Sequence, residues 1–176
     1  WAVTAHDDVI MDPENTLGDG TLRVQQFIPH PSVRALQKAE ISVRLLMPRG
    51  VEANTESALA PEGIQATPLM VTGSTGSARE TSGEGPATAV RTGSLSLAVA
   101  VEKGAIPGVK AENATRLTRL VVVGDAAFLR NDRMDTDGNR EFAWHTINWL
   151  LNRAALLKGI GPKPIREYRF EYTQPQ

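Results

Sequence analysis

Arg119-Leu120-Val121-Val122-Val123-Gly124-Asp125-Ala126-Ala127-Phe128 is the stretch on which the reading of the fold turns. Its aliphatic run is apolar at successive positions, which predicts a strand covered on both faces, and Gly124-Asp125 predicts the turn that closes it. A polar run follows, and Glu141–Leu157 then has helical character. Phe142, Ala143, Thr146, Ile147, Leu150 and Ala154 fall on one stripe at spacings of three and four. Asp137 or Asn139 is placed to cap the amino end of this helix, and Gly159 with Pro162 to end it. Trp149 reads as a core anchor at one edge of the stripe. His145 reads as facing solvent or an edge of the core.

Outward from this unit, the remaining strand signals are shorter. Asp8–Asp12 reads as a strand closed by Asp12-Pro13, and Leu22, Val24 and Ile28 as an extended stretch ended by Pro29-His30-Pro31. A short helical turn is expected over Ser32–Gln37. Ile41, Val43, Leu45 and Met47 recur with period two, the pattern of a half-buried strand. Ala66–Val71, with Pro68 taken near its start, and Leu95–Val101 are further apolar runs. Thr72–Gly85 is rich in Gly, Ser, Thr and Glu and reads as a solvated, mobile loop. The tail after Pro164 alternates Tyr168, Phe170 and Tyr172 with Arg169 and Glu171. We therefore expect one α/β domain over residues 1–164 and a strand-like tail or linker over 165–176. Ala66–Val71, Leu95–Val101 and Arg119–Val123 are expected as core strands of a mainly parallel sheet, with the helix packed on it.

Composition narrows the function. The chain has 176 residues, with 19 Lys plus Arg against 20 Asp plus Glu, and the two signs are interspersed. Such a balance provides no field to attract nucleic acid. Cysteine is absent, which excludes a thiol nucleophile, a disulfide framework and a thiolate metal site. No apolar run approaches the ~20 residues that span a bilayer. The chain opens on Trp1, so it reads as an internal piece of something longer.

The candidate chemistry is sparse. Asp125 stands where a strand ends, the place where open α/β sheets gather ligands. It reads either as a ligand contact, together with Asn131 and Asn139, or as an acceptor for backbone N–H groups in the following turn. Convergence of the three on one pocket is what distinguishes these readings. Asp132, Asp135, Asp137 and Gly138 resemble a calcium loop only superficially, because aligning Gly138 places Arg133 and Trp144 at required ligand positions. His6, His30 and His145 are too scattered for a local metal motif. Gly73-Ser-Thr-Gly76-Ser lacks the ending of a phosphate loop, and no Gly-x-Ser-x-Gly elbow is present. No catalytic residue, metal or cofactor is expected, and a hydrolase ranks last.

Three stretches together carry a family resemblance. They are Trp1-Ala-Val-Thr with Asp7-Asp8-Val-Ile-Met-Asp12-Pro13; Ile64-Gln-Ala-Thr-Pro68-Leu-Met-Val-Thr-Gly73-Ser; and Arg119–Leu129 with Gly138-Asn139-Arg140-Glu-Phe142 and Ile147-Asn148-Trp149-Leu150. In this order the chain resembles the extracytoplasmic domain of gliding-motility-associated auxiliary proteins of ABC-type transport systems. The resemblance implies a flavodoxin-like or class I glutamine amidotransferase-like α/β fold, present here as the later part of a larger domain. It implies a non-catalytic component in the cell envelope (periplasmic side), flanking membrane segments, and an ABC permease and ATPase as partners. The cysteine nucleophile of the enzymes with that fold is missing, so the likeness brings no catalysis with it. If earlier strands are missing before Trp1, an unpaired sheet edge is expected to make the chain a homo-oligomer. A small-molecule-binding domain with a site near Asp125 is the alternative.

Overall fold

A computed structural model describes residues 1–54, 63–80, 89–104 and 117–153. In chain order its strands are β1 (Val3–Ala5), β2 (Asp8–Met11), β3 (Thr21–Val24), β4 (Gln26–Phe27), β5 (Val43–Leu46) and β6 (Val51–Ala53). They continue with β7 (Ile64–Val71), β8 (Ser77–Glu80), β9 (Ala89–Thr92), β10 (Ser96–Lys103) and β11 (Thr118–Val123). Helix α1 (Arg34–Ala39) lies between β4 and β5, a 3-10 turn (Ala127–Leu129) follows β11, and α2 (Asn139–Leu150) comes last.

The main sheet runs β11-β10-β7-β4, beside a three-stranded sheet β2-β8-β9 and the pairs β3-β5 and β1-β6. Every pairing among the described strands is antiparallel. The expected mainly parallel, flavodoxin-like or amidotransferase-like sheet is therefore overturned. The runs taken as core strands do form β7, β10 and β11, and they lie side by side, but with alternating polarity. Two-sided burial misled because it needs only two covers, not two layers of crossover helices. On one face Val121 and Val123 pack into a core with Phe142, Trp149, Leu97, Leu45 and Leu36. On the other, Leu120 and Val122 pack with Val51, Val99 and Val101 beneath the β1-β6 pair. Between them, Leu97 to Val101 of β10 are buried without a break.

Local differences have equally local causes. Pro68 lies in the middle of β7 rather than near its start. It faces Val99 beside a shift in register, and such an irregularity is where a sheet tolerates a residue without an N–H. Thr72–Glu80 is no loose loop. Thr72, Gly73, Gly76 and Ala78 are buried and β8 pairs on both sides; residues 81–85 lie outside the described set. Small side chains here fill tight space instead of leaving it to solvent.

Helix α2 ends at Leu150, short of the expected Leu157, of which residues 154–157 lie outside the described set. Its inward face is rotated from the expected stripe: Phe142, His145, Asn148 and Trp149 are buried, while Ile147 and Leu150 are exposed. His145 is thus a core residue. Gly138 takes the N-cap position and no side chain caps it. The tail over 165–176 lies outside the described residues.

Candidate functional site

Strand β5 organises the region that the sequence singles out. One edge of β5 pairs with β3. The other is closed by single groups from the segment after β11. The Gly138 N–H donates to the Ser42 carbonyl at 2.8 Å. The Asn139 side chain then mimics a strand, accepting the Arg44 N–H at 2.8 Å and donating to the Arg44 carbonyl at 3.1 Å, with a further bond to the Arg133 carbonyl. Asp125 accepts the Leu46 N–H at 2.8 Å on one oxygen and the Ala127 N–H at 2.6 Å on the other. Finally the Arg49 N–H donates to the Gly124 carbonyl at 2.8 Å.

The three candidate ligand residues thus fall in different places. Asp125 and Asn139 meet on successive outward positions of β5, with their polar atoms engaged by backbone. Asn131 is exposed in the intervening turn. None of the three lines a shallow, open cleft that lies between the start of β3 and the end of β7.

That cleft has Leu22, Val24 and Val71 in its lining, with Asn15, Arg23 and Gln26 among its polar groups. Asp12 borders it and is fully buried. Burial acts to raise the Asp12 pKa, but hydrogen bonds from Thr75, Asn15, Gly73 and Glu14 outweigh it and hold the carboxyl below its ordinary value. Thr75 Oγ1 (2.6 Å) and the Glu14 N–H (3.3 Å) reach one oxygen, while Asn15 Nδ2 (2.9 Å) and the Gly73 N–H (2.8 Å) reach the other. All four acceptor positions of a carboxylate are then taken. Asp12 is a clasp between the β2 end and the β7–β8 turn. In the sequence it showed only as a turn-initiating Asp-Pro pair.

A second polar group surrounds His30. Its ring packs edge-on against Trp149 with centroids 4.7 Å apart. Nδ1 accepts the Ser32 N–H at 3.2 Å and lies 2.7 Å from Ser32 Oγ, a network that assigns the ring proton to Nε2. Burial, and then the nearby Arg119 charge, lower the His30 pKa to about 4. The Arg119 guanidinium lies over Trp149, 4.9 Å from the ring centroid, and donates to Glu102 and to the Trp149 carbonyl. The Ser32 hydroxyl belongs to a residue with no exposed surface, so this Ser–His pair fastens the entry to α1 and presents no nucleophile at a surface. Pro29 and Pro31, which read in the sequence only as the end of an extended stretch, concealed this cluster.

Among the described residues no group of three or more His, Cys, Asp or Glu side chains is arranged to hold a metal ion, and no helix is long and apolar enough to cross a membrane. Comparisons with family models, curated proteins and solved structures find no match for this chain.

The surface carries a different signal. Trp144 (58% exposed) and Ile147 (51%) lie on the outer side of α2, and Leu151 (55%), the residue just after the helix, continues their row beside Leu150. A helix with apolar residues on both its inner and outer sides is normally covered on both.

Proposed function

We propose that this chain is a non-catalytic interaction domain of an ABC-type transport assembly in the cell envelope, which docks on the permease through the outer face of α2. The observation that carries this reading is the exposed apolar row Trp144, Ile147 and Leu151. A tryptophan flanked by aliphatic residues is the kind of anchor that concentrates binding energy in protein interfaces. The commitment of Asp125, Asn139 and Asp12 to internal hydrogen bonds supports a scaffold rather than a reaction centre. The choice of an ABC permease and its ATPase as partners follows from the family resemblance.

The test is site-specific photo-crosslinking from positions 144 and 147 of the full-length protein, co-expressed with its permease and ATPase. A covalent adduct with the permease is expected from both positions, together with loss of co-purification by at least about ten-fold in a Trp144→Glu/Ile147→Lys variant. Adducts with lipid alone, or undiminished co-purification of the variant, would overturn the reading.

A further inference from the structure

We infer that the edge of β11 left open by the described residues is a self-complementary strand-addition site, at which a second copy of this chain pairs antiparallel about a two-fold axis midway between the two Val121 residues. This concerns a surface separate from the α2 face and does not rest on the docking just proposed.

β11 is the terminal strand of the main sheet. Its ladder with β10 continues into the Gly124 N–H bond to the Leu97 carbonyl. In an antiparallel ladder the residues that bond inward alternate with those that bond outward. Gly124, Val122 and Leu120 therefore face β10, and Arg119, Val121 and Val123 direct their N–H and C=O groups away from the sheet. No described residue bonds these outward groups.

Among the described residues the usual guards of an edge are missing. Between Leu120 and Val123 there is no proline, glycine or charge, and the pairing with β10 runs without a shift in register. The nearest charge, Arg119, is turned inward onto Glu102, the Trp149 carbonyl and Asn152. The opposite edge of the sheet differs: β4 is two residues long and is followed closely by Pro29 and Pro31.

A second copy fits this edge in one register. With Val121 opposite its own symmetry mate, Arg119 faces Val123 of the other copy and Val123 faces Arg119. All outward groups on both strands then find a partner. Leu120 faces Val122 across the seam, so an aliphatic pair lies on the second face as well. No two like charges oppose one another, so the strand is complementary to itself, as an isologous interface requires. The axis stands perpendicular to the sheet, so the four strands of each copy become one continuous eight-stranded sheet, with both α2 helices on the same side. An interface of one short strand is of the small, concentration-dependent class.

The absence of cysteine allows a clean test on the full chain. In the proposed register Val121 is ~5.5 Å from its mate between Cα atoms, within reach of a disulfide, whereas the two Thr118 residues lie at opposite ends of the seam. Val121→Cys is expected to cross-link covalently to a dimer on mild oxidation, and Thr118→Cys to form no covalent dimer while keeping the same reversible association. Sedimentation over a wide concentration range is expected to show a monomer–dimer equilibrium. Val121→Pro should raise its dissociation constant at least about ten-fold, since it removes an outward N–H. Should Val121→Pro fail to fold, the cysteine pair decides. Strictly monomeric behaviour, equal cross-linking from both positions, or a dimer abolished by Trp144→Glu instead would each overturn the inference.

Discussion

Gly124 and Gly138 are both glycines because of neighbours rather than backbone torsion. A methyl group on Gly124 would land on the Arg49 carbonyl, and one on Gly138 would lie 2.8 Å from the Ser42 carbonyl and within contact of Leu36 and Ile41. Each glycine precedes a residue whose side chain bonds β5, so the pair Gly-Asx works as a unit: the first member admits the backbone and the second seals it. Gly124→Ala is expected to destabilise the domain by about 2–4 kcal/mol, as forced overpacking against main chain does. Asn139→Ala should cost about 2–3 kcal/mol, because the Arg44 N–H and C=O are left without partners in a buried place. Asn139→Asp tests the mechanism further. It keeps the acceptor for Arg44 but sets carboxylate oxygen against two carbonyls, so it should be no milder than Asn139→Ala. Urea unfolding of the three variants measures all of this, and a well-tolerated Asn139→Asp would show that the strand mimicry is not what holds β5.

At the scale of elements, the sequence disclosed where strands lie better than how they pair. Period-two alternation exposed β5, and unbroken aliphatic runs exposed β7, β10 and β11, because burial leaves its mark residue by residue. Strand polarity leaves no such mark; it depends on connections, and here the antiparallel pair β8–β9 stands between β7 and β10 in the chain. The three-residue strands β1 and β6 are too short for periodicity to register. For α2 the misreading has a definite cause. His145 and Asn148 are polar yet buried, and Ile147 and Leu151 are apolar yet exposed, so hydrophobicity alone points to the wrong side. The corrected orientation makes a contrast that can be measured. Phe142→Ala, which empties a site with no exposed surface beside Phe128, should cost about 3–5 kcal/mol. Trp144→Glu and Ile147→Lys should each change stability by less than about 0.5 kcal/mol. Comparable losses at inward and outward positions would mean that something within the chain covers the outer face of α2.

For the molecule as a whole, the buried histidines set the response to acid. His30 has a folded pKa of about 4, lowered by burial and then by Arg119, against about 6.5 in the unfolded chain. His145 is lowered as well, by burial, with Glu141 acting weakly in the opposite sense. Above the unfolded value neither state of either ring holds the extra proton, and folding is unaffected. As pH falls through 6.5 toward 4 the unfolded chain takes up a proton that the folded chain refuses, so stability declines with falling pH. For His30 the loss amounts to at most about 3 kcal/mol across that window. Two hydrogen-bonded carboxylates act at lower pH: Asp12, and Asp137, which accepts from Ser42 Oγ and Arg44 Nε at 2.7 Å each. For Asp12 and Asp137 burial raises the pKa, but hydrogen bonds to each prevail and lower it. Their contribution is therefore intact above the ordinary carboxylate value and is lost only at more acid pH. Denaturant unfolding at a series of pH values between neutrality and the carboxylate range isolates the histidines. His30→Asn is the informative variant, since its side-chain oxygen can accept the Ser32 N–H in place of Nδ1 and does not titrate. It should flatten the greater part of the slope and leave a remainder that a His145→Gln variant removes. An unchanged slope in His30→Asn would show that His30 is protonated in the folded chain, and that the packing of Trp149 and Arg119 around it does not exclude the charge.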